Sequence, residues 1–174
     1  IVEPTTASLN KGASTTATIT YNGDGALSVS SDATGVATAS LSGTTITIAA
    51  STPVGAYTVS VTAKDSNSAK TKAATITITV QYPKLTLSGN GGTVTTAAVY
   101  PKYGTASEYT AATGSTAATI KATRTGYTLN GWYTATSGGS KVLDASGNGT
   151  GTAVTNFTNA SKNWVMTANQ TLYA

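Results

Sequence analysis

Residues 1–82 alternate between apolar and polar side chains with a period of two. In the clearest runs, Tyr57–Ala63 and Ile76–Val80, every second residue is apolar. This pattern is typical of strands that bury one face. Turn-forming residues separate the runs at Asn22–Gly25, Ser42–Gly43, Pro53–Gly55 and Asp65–Ser68. About seven short strands at roughly ten-residue spacing predict a β-sandwich.

A short segment that contains proline, Gln81–Lys84, follows the last of these runs. Proline has no backbone N–H, so it cannot continue a hydrogen-bonded ladder in the middle of a sheet. We therefore place a domain boundary here and predict two domains, one at 1–82 and the other at 83–174, joined by a short linker.

The second half of the chain is less regular. Three segments carry strand-like patterns: Leu85–Leu87, Thr119–Ala122 and Gln170–Ala174. We interpret Ala153–Asn163 as one helical turn or a short helix, with Val154, Phe157 and Trp164 packing inward. The predicted fold class is therefore mostly β, with at most one short helix.

The stretch Gly126–Lys141 reads GYTLNGWYTATSGGSK and holds one of the two tryptophans of the chain. Tyr127 and Leu129 are residue types that favour half-buried strands. Asn130-Gly131 is a two-residue turn signal, because both residue types tolerate positive φ. Ser137–Ser140 is a second turn. We therefore expect two short strands that meet or bend at Asn130-Gly131.

Trp132 follows this turn directly. Trp132 and Tyr133 point to opposite faces of a strand, so at most one of them enters a one-sided core. Large aromatic side chains dominate the burial in small cores. We predict that Trp132 is a core residue rather than a ligand platform, in the company of Tyr127 and Leu129.

Three blocks of sequence, in a fixed order, carry a family resemblance. They are a strand with an NGG turn (Leu85–Thr93), the GYTLNGWYT and GGSK motifs (Gly126–Lys141) and a closing TLYA (Thr171–Ala174). Together they resemble the Listeria–Bacteroides repeat, or internalin B-repeat, over residues 84–174. Leu129 stands where the repeat usually has Phe, and the segments between the blocks are longer. The resemblance implies a β-grasp-like fold in a bacterial cell-surface protein.

The first half carries a second resemblance. Gly55–Asp65 reads GAYTVSVTAKD, and together with Ala74–Val80 it is similar to the last two strands of a bacterial Ig-like domain. Tyr57 stands where such domains often place a corner tyrosine. The resemblance implies an Ig-like β-sandwich at residues 1–82.

The composition excludes several kinds of chemistry. The chain has no cysteine and no histidine, so it lacks disulfides, thiolate and imidazole metal ligands and the commonest general base. Its six acidic residues are dispersed, which gives no signal of paired catalytic carboxylates. The net charge of +4 comes from scattered cations rather than a nucleic-acid-binding cluster. No apolar run is long enough to span a membrane as a helix.

The aromatic side chains of Tyr100, Tyr103 and Tyr109 are the candidate ligand-binding residues. Tyrosine combines an apolar ring with a hydrogen-bonding tip, which suits a platform for a sugar or a peptide. The alternative is that these three rings cover a small core beneath an inserted loop.

Two further groups of residues have both a functional and a structural interpretation. Paired Asp and Asn side chains fit calcium ligation, but they fit ordinary Asx turns better; the pairs are Asp24 with Asn22 and Asp65 with Asn67. Lys70 and Lys72 fit contact with an anionic polymer, although a solvated loop is the simpler interpretation. We expect no metal site and no cofactor.

These patterns lead to one functional prediction and two alternatives. We predict a non-catalytic, extracellular module of a bacterial cell-surface protein that acts as a stalk or spacer and contributes to adhesion. The first alternative is a module that binds a glycan or a host protein through the Ala97–Tyr109 loop. The second is an accessory domain of a secreted polysaccharide-degrading enzyme. We expect the secretion signal and the anchor to lie in a longer parent chain.

Overall fold

The computed structural model describes residues 2–3, 6–20, 26–31, 39–42, 44–64, 71–110 and 118–174. The chain divides into two compact units, Ile1–Gln81 and Tyr82–Ala174. Every regular element in the described ranges is a β-strand. The prediction of a mostly β fold is therefore confirmed.

The first unit contains eight strands within the described residues, all of them paired. They are β1 (Val2–Glu3), β2 (Thr6–Asn10), β3 (Thr15–Ile19), β4 (Leu27–Ser31), β5 (Ala39–Ser42), β6 (Thr45–Ile48), β7 (Gly55–Lys64) and β8 (Thr71–Gln81). They form two four-stranded sheets, with strand orders β1-β3-β6-β5 and β2-β8-β7-β4.

The core of the first unit lies between these two sheets. It joins Ile46 and Ile48 of one sheet to Val59, Ile76 and Ile78 of the other. The alternate positions of β7 and β8 point away from this core and are mostly polar, as the period of two predicts. The result is a β-sandwich-like unit.

Tyr57 fixes the entry to the longest hairpin of this unit. Its ring is buried, and its hydroxyl donates a hydrogen bond of 3.1 Å to the carbonyl of Pro53. A Cβ atom on Gly55 would lie 2.9 Å from that hydroxyl. The absence of a side chain at Gly55 therefore makes room for the tyrosine at this corner.

The second unit also contains eight strands within the described residues. They are β9 (Leu85–Ser88), β10 (Thr93–Val94), β11 (Ala98–Pro101), β12 (Tyr109–Thr110), β13 (Ala122–Thr123), β14 (Gly131–Tyr133), β15 (Lys141–Asp144) and β16 (Gln170–Tyr173). Six of them form one sheet with the order β12-β11-β9-β16-β14-β15, and β10 pairs with β13. Trp132, Trp164, Leu85, Leu143 and Leu172 lie at the centre of its core.

The expected helix at Ala153–Asn163 is wrong. The described chain there consists of turns, tied by isolated bridges from Thr158 to Val154 and to Trp164. Asn156 and Lys162 both have φ of 66°, which a right-handed helix cannot accommodate. The inward positions were nevertheless predicted correctly, because Val154, Phe157 and Trp164 are all buried.

The expected turn at Asn130-Gly131 is also misplaced. The tight turn lies at Thr125–Gly126. An isolated antiparallel β-bridge joins Arg124 to Tyr127 across it, and the Tyr127 N–H donates a hydrogen bond of 3.0 Å to the Arg124 carbonyl. Gly131 instead begins β14. Only glycine fits there, because a Cβ atom would collide with the Leu143 carbonyl and the Lys141 side chain. The second predicted turn, Ser137–Ser140, does connect β14 to β15.

Several predicted features lie outside the described residues. They are the turns at Asn22–Gly25 and Asp65–Ser68, both Asp–Asn calcium candidates, and Lys70.

Candidate functional site

The three candidate tyrosines lie on or beside β11 and β12, but they differ in exposure. Tyr103 is 36% exposed, Tyr100 is half-buried and Tyr109 is only 7% exposed. Tyr109 belongs to the core, where its ring meets Trp164 edge-on at a centroid distance of 5.4 Å. The structure therefore does not bring three exposed rings together, and Tyr109 matches the core-covering interpretation.

The Tyr109 hydroxyl donates a hydrogen bond to the carbonyl of Gly147, in the loop that follows β15. Burial raises the pKa of this phenol well above its usual range, and the negative charge of Asp144 raises it further. Asp144 itself has a lowered pKa, chiefly because its carboxylate accepts the backbone N–H of Asn148. Tyr109 and Asp144 therefore hold the loop that follows β15 in place through these hydrogen bonds.

Trp132 is completely buried, so the prediction that it is a core residue is confirmed. Its indole N–H has no hydrogen-bond acceptor among the described residues. Tyr133, on the opposite face of β14, is half-buried. Tyr127, by contrast, is 67% exposed, so its predicted place in the core is wrong.

Tyr127 has a specific neighbour, Arg124, across the tight turn. The guanidinium carbon of Arg124 lies 4.1 Å from the centre of the Tyr127 ring, in a cation–π arrangement. The same guanidinium donates through Nη1 to the carbonyl of Asn90 at 3.1 Å. It also lies against Gly91, where a Cβ atom would come within 3.4 Å of it. Arg124 is therefore held between the NGG turn and an exposed aromatic ring.

A pocket opens beside this pair, with a volume of about 160 Å³. We call it the Arg124 pocket; its lining includes Asn90, Arg124, Tyr127, Leu129, Asn130 and Tyr133. The amide of Asn130 donates to the Tyr133 hydroxyl at 2.9 Å, and its oxygen accepts from Lys141 Nζ at 3.3 Å. The pocket thus combines an apolar floor with polar side chains that hold one another in place.

No acidic side chain lines the Arg124 pocket, whose lining also includes Ala174, the last residue of the sequence. Among the described residues the one ion pair is elsewhere in the unit, between Lys102 and Glu108 at 3.1 Å. Arg124 therefore keeps its positive charge without a carboxylate partner in the part of the chain that the structure describes. This combination of charge and exposed ring favours an anionic ligand.

Little in the sequence pointed to this site. Arg124 was one of several scattered cations, and Tyr127 belongs to a residue type that is buried as often as not. The NGG turn was the available signal, since Gly92 must lack a side chain: a Cβ there would lie 2.6 Å from the Thr123 carbonyl. Glycine at that position allows β13, and with it Arg124, to approach the turn closely.

Apart from the Arg124 pocket, one feature occurs in both units: the first long strand pairs in parallel with the last. In the first unit β2 is parallel to β8, from Thr6↔Thr77 to Asn10↔Gln81. In the second unit β9 is parallel to β16, from Leu85↔Gln170 to Ser88↔Tyr173. Backbone hydrogen bonds extend both pairs, from Lys11 N to Gln81 O at 2.7 Å and from Ala174 N to Ser88 O at 2.9 Å.

Other kinds of site are not seen in the described ranges. They hold no group of three acidic, histidine or cysteine side chains that could share a metal ion. No helix within them is long and apolar enough to cross a membrane. Lys72, the described member of the Lys70–Lys72 pair, is exposed.

The comparisons with known proteins give no further identification. No protein-family model matches the chain, and no curated protein matches it.

Proposed function

We propose that this chain is a non-catalytic, load-bearing part of the stalk of a bacterial cell-surface protein. The observation that carries the proposal is the parallel pairing of the first and last long strands within each unit. A stalk transmits tension along the chain, so the contacts between the ends of each unit decide how well it resists stretching.

Parallel pairing loads these contacts in a favourable way. A pull on the N-terminal side of β2 and the C-terminal side of β8 slides the two strands past each other. All their backbone hydrogen bonds then bear the load together, whereas the bonds of an antiparallel hairpin pulled from its open end break one after another. Unfolding under force is governed by the unfolding rate, so shared loading should slow it in both units.

The topology supports the domain types that the resemblances imply. The strand order supports an Ig-like arrangement for the first unit, because β1, β3, β6 and β5 form one sheet and β4, β7 and β8 lie in the other. In the second unit, β9 and β16 form a parallel pair at the centre of a mixed sheet. We interpret this as a β-grasp-like sheet in which turns replace the usual helix.

Single-molecule stretching tests the proposal. Handles at the two ends of the chain should give two unfolding events, one for each unit. The chain has no cysteine, so A56C and T79C create a unique second pair of handles on exposed residues that face each other at the open end of the β7–β8 hairpin. Pulling there should open the hairpin at a clearly lower force. Equal forces in the two geometries would contradict the load-bearing role.

Two proline variants locate the resistance. The Lys11 N–H bonds to Gln81, and alternation along the ladder directs the Ala7 N–H toward β8 and the Ser8 N–H to solvent. Ala7→Pro should therefore lower the first unit's unfolding force, because it removes one shared hydrogen bond. Ser8→Pro on the same edge strand is the matched control and should change the force little.

A further inference from the structure

We propose that the Arg124 pocket binds one carboxylated sugar ring, a hexuronate, within an anionic polysaccharide. This inference is independent of the load-bearing role, because it rests on side chains in the second unit rather than on strand pairing. Three properties of the pocket carry it: an oriented guanidinium, an exposed aromatic face and a fixed set of polar groups.

The guanidinium of Arg124 is oriented before any ligand arrives. The Tyr127 ring covers one of its faces, and the backbone of Gly91 lies close to it. Its hydrogen bond to Asn90 uses Nη1 and leaves other N–H donors without an acceptor among the described residues. A planar guanidinium in this state matches the two oxygens of a carboxylate, and little side-chain freedom remains to be lost on binding.

Tyr127 supplies the surface for a sugar ring. Arg124 covers one face of the Tyr127 ring, yet the side chain is 67% exposed, so its other face is open to solvent. A neighbouring pyranose of the same polymer can pack its apolar C–H face against this open face, while the ring in the pocket directs its carboxylate to Arg124. An exposed aromatic beside an unpaired cation therefore suits a sugar that carries a carboxylate.

The polar groups of the pocket are positioned for hydroxyl recognition. Asn130 donates to the Tyr133 oxygen, so the Tyr133 hydroxyl proton remains free for a ligand oxygen. Lys141 fixes the other end of the Asn130 amide. Donors that are held in place in this way orient a polar sugar ring and give the pocket specificity.

The size of the pocket favours one unit of a polymer. Its volume of about 160 Å³ is below the roughly 300–1,000 Å³ of pockets that enclose whole drug-sized ligands. A shallow groove along Gly91–Thr93 and Thr123–Thr125 borders the same Arg124–Tyr127 pair. One ring can occupy the pocket while its neighbours continue along the groove.

The test is an NMR titration of the whole chain with oligogalacturonate, followed through the Arg124 Nε–Hε signal and the Tyr127 ring signals. The methyl-esterified oligosaccharide is the matched ligand, because it keeps the ring and removes the charge. We expect saturable shifts with the acid and none with the ester. Equal binding of both forms would overturn the role of the carboxylate.

Three variants identify the residues. Arg124→Lys keeps the charge but loses the planar pair of donors, so it should weaken binding about tenfold or more. Tyr127→Ala should also weaken binding, because the stacking surface is lost. Lys102→Gln is the control: it removes one positive charge at a position outside the pocket. It should leave binding unchanged.

Three outcomes would contradict the proposal. A loss in Lys102→Gln with none in Arg124→Lys would show non-specific charge attraction, because only Lys102→Gln removes a charge. Equal binding of an oligoglutamate peptide would show that the sugar ring is not recognised and would point to an acidic peptide instead. Absence of any shift with oligogalacturonate would exclude the hexuronate site.

Discussion

Trp132 and Tyr127 belong to the same short stretch, yet Trp132 is fully enclosed and Tyr127 projects into solvent. The difference arises because Trp132 lies on a strand of the six-stranded sheet that has a neighbour on each side, whereas Tyr127 closes a tight turn. Residue type predicts burial for Trp132, but it cannot predict that Arg124 will cover one face of the Tyr127 ring. Pairwise contacts of that kind depend on the turn geometry.

The burial of Trp132 predicts a large loss of stability in the variant Trp132→Ala. Removal of a buried large aromatic costs about 3–5 kcal/mol, a large share of the stability of a small domain. Urea unfolding followed by the fluorescence of Trp164 measures the loss in the second unit. Tyr127→Ala is the control and should cost far less, since that ring is exposed. Similar losses in both variants would contradict this account of the core.

Tyr109 predicts an alkaline limit to the stability of the second unit. Its pKa is raised in the folded state by burial and by Asp144, whereas a tyrosine in an unfolded chain has a pKa of about 10. The stabilisation is complete below that pH and is lost as the pH rises toward the folded pKa. Urea midpoints at rising pH, read by tryptophan fluorescence, should fall more steeply for the natural chain than for Tyr109→Phe. Parallel slopes would contradict the prediction.

At the scale of elements, strands were predicted well where the apolar period was two and poorly where turns decided the path. The strands of the first unit follow the alternation, as β7 and β8 show. In the second unit, Ala153–Asn163 has apolar residues at helix-like spacing but folds as turns, because the backbone of Asn156 and Lys162 is left-handed. Asn159 stabilises these turns by accepting the backbone N–H groups of Ser161 and Asn163.

The close approach of β13 to Gly92, just before β10, predicts that a methyl group added at Gly92 destabilises the second unit. In Gly92→Ala the new Cβ would lie 2.6 Å from the Thr123 carbonyl and 3.0 Å from Arg124 Cβ. We expect a loss of about 1–3 kcal/mol from overpacking, together with a displaced Arg124. Thr93→Ala, at an exposed neighbouring position, should change stability by less than about 0.5 kcal/mol. Urea unfolding of both variants measures the two losses of stability.

At the scale of the whole molecule, the described residues form two separate hydrophobic cores. The proline-containing segment and the change in pattern placed a boundary at 82/83, next to the division between Gln81 and Tyr82 in the structure. The core of each unit could be anticipated from its strongest apolar residues. The Arg124 pocket could not, because it requires Asn90, Arg124 and Asn130 to meet from three separate segments.

Separate cores predict that each unit keeps its fold when produced alone. Residues 1–82 and 83–174 should each unfold cooperatively in urea, as small domains with complete cores do. Both tryptophans, Trp132 and Trp164, lie in the second unit, so their fluorescence should show the same midpoint in 83–174 as in the whole chain. A fragment that lacks a cooperative transition would contradict the independence of its core.

The parallel pairing of β9 with β16 also sets the time at which the second unit can fold. The central strand β9 gains this neighbour only when Gln170–Tyr173, at the other end of the unit, is available. Pairings between residues so distant in sequence slow folding to milliseconds or longer, as in other β-rich domains. The second unit therefore remains unfolded until its last strand has been made. The proposed stalk role requires export from the cell, and such a delay would keep the chain open long enough to pass through a narrow channel.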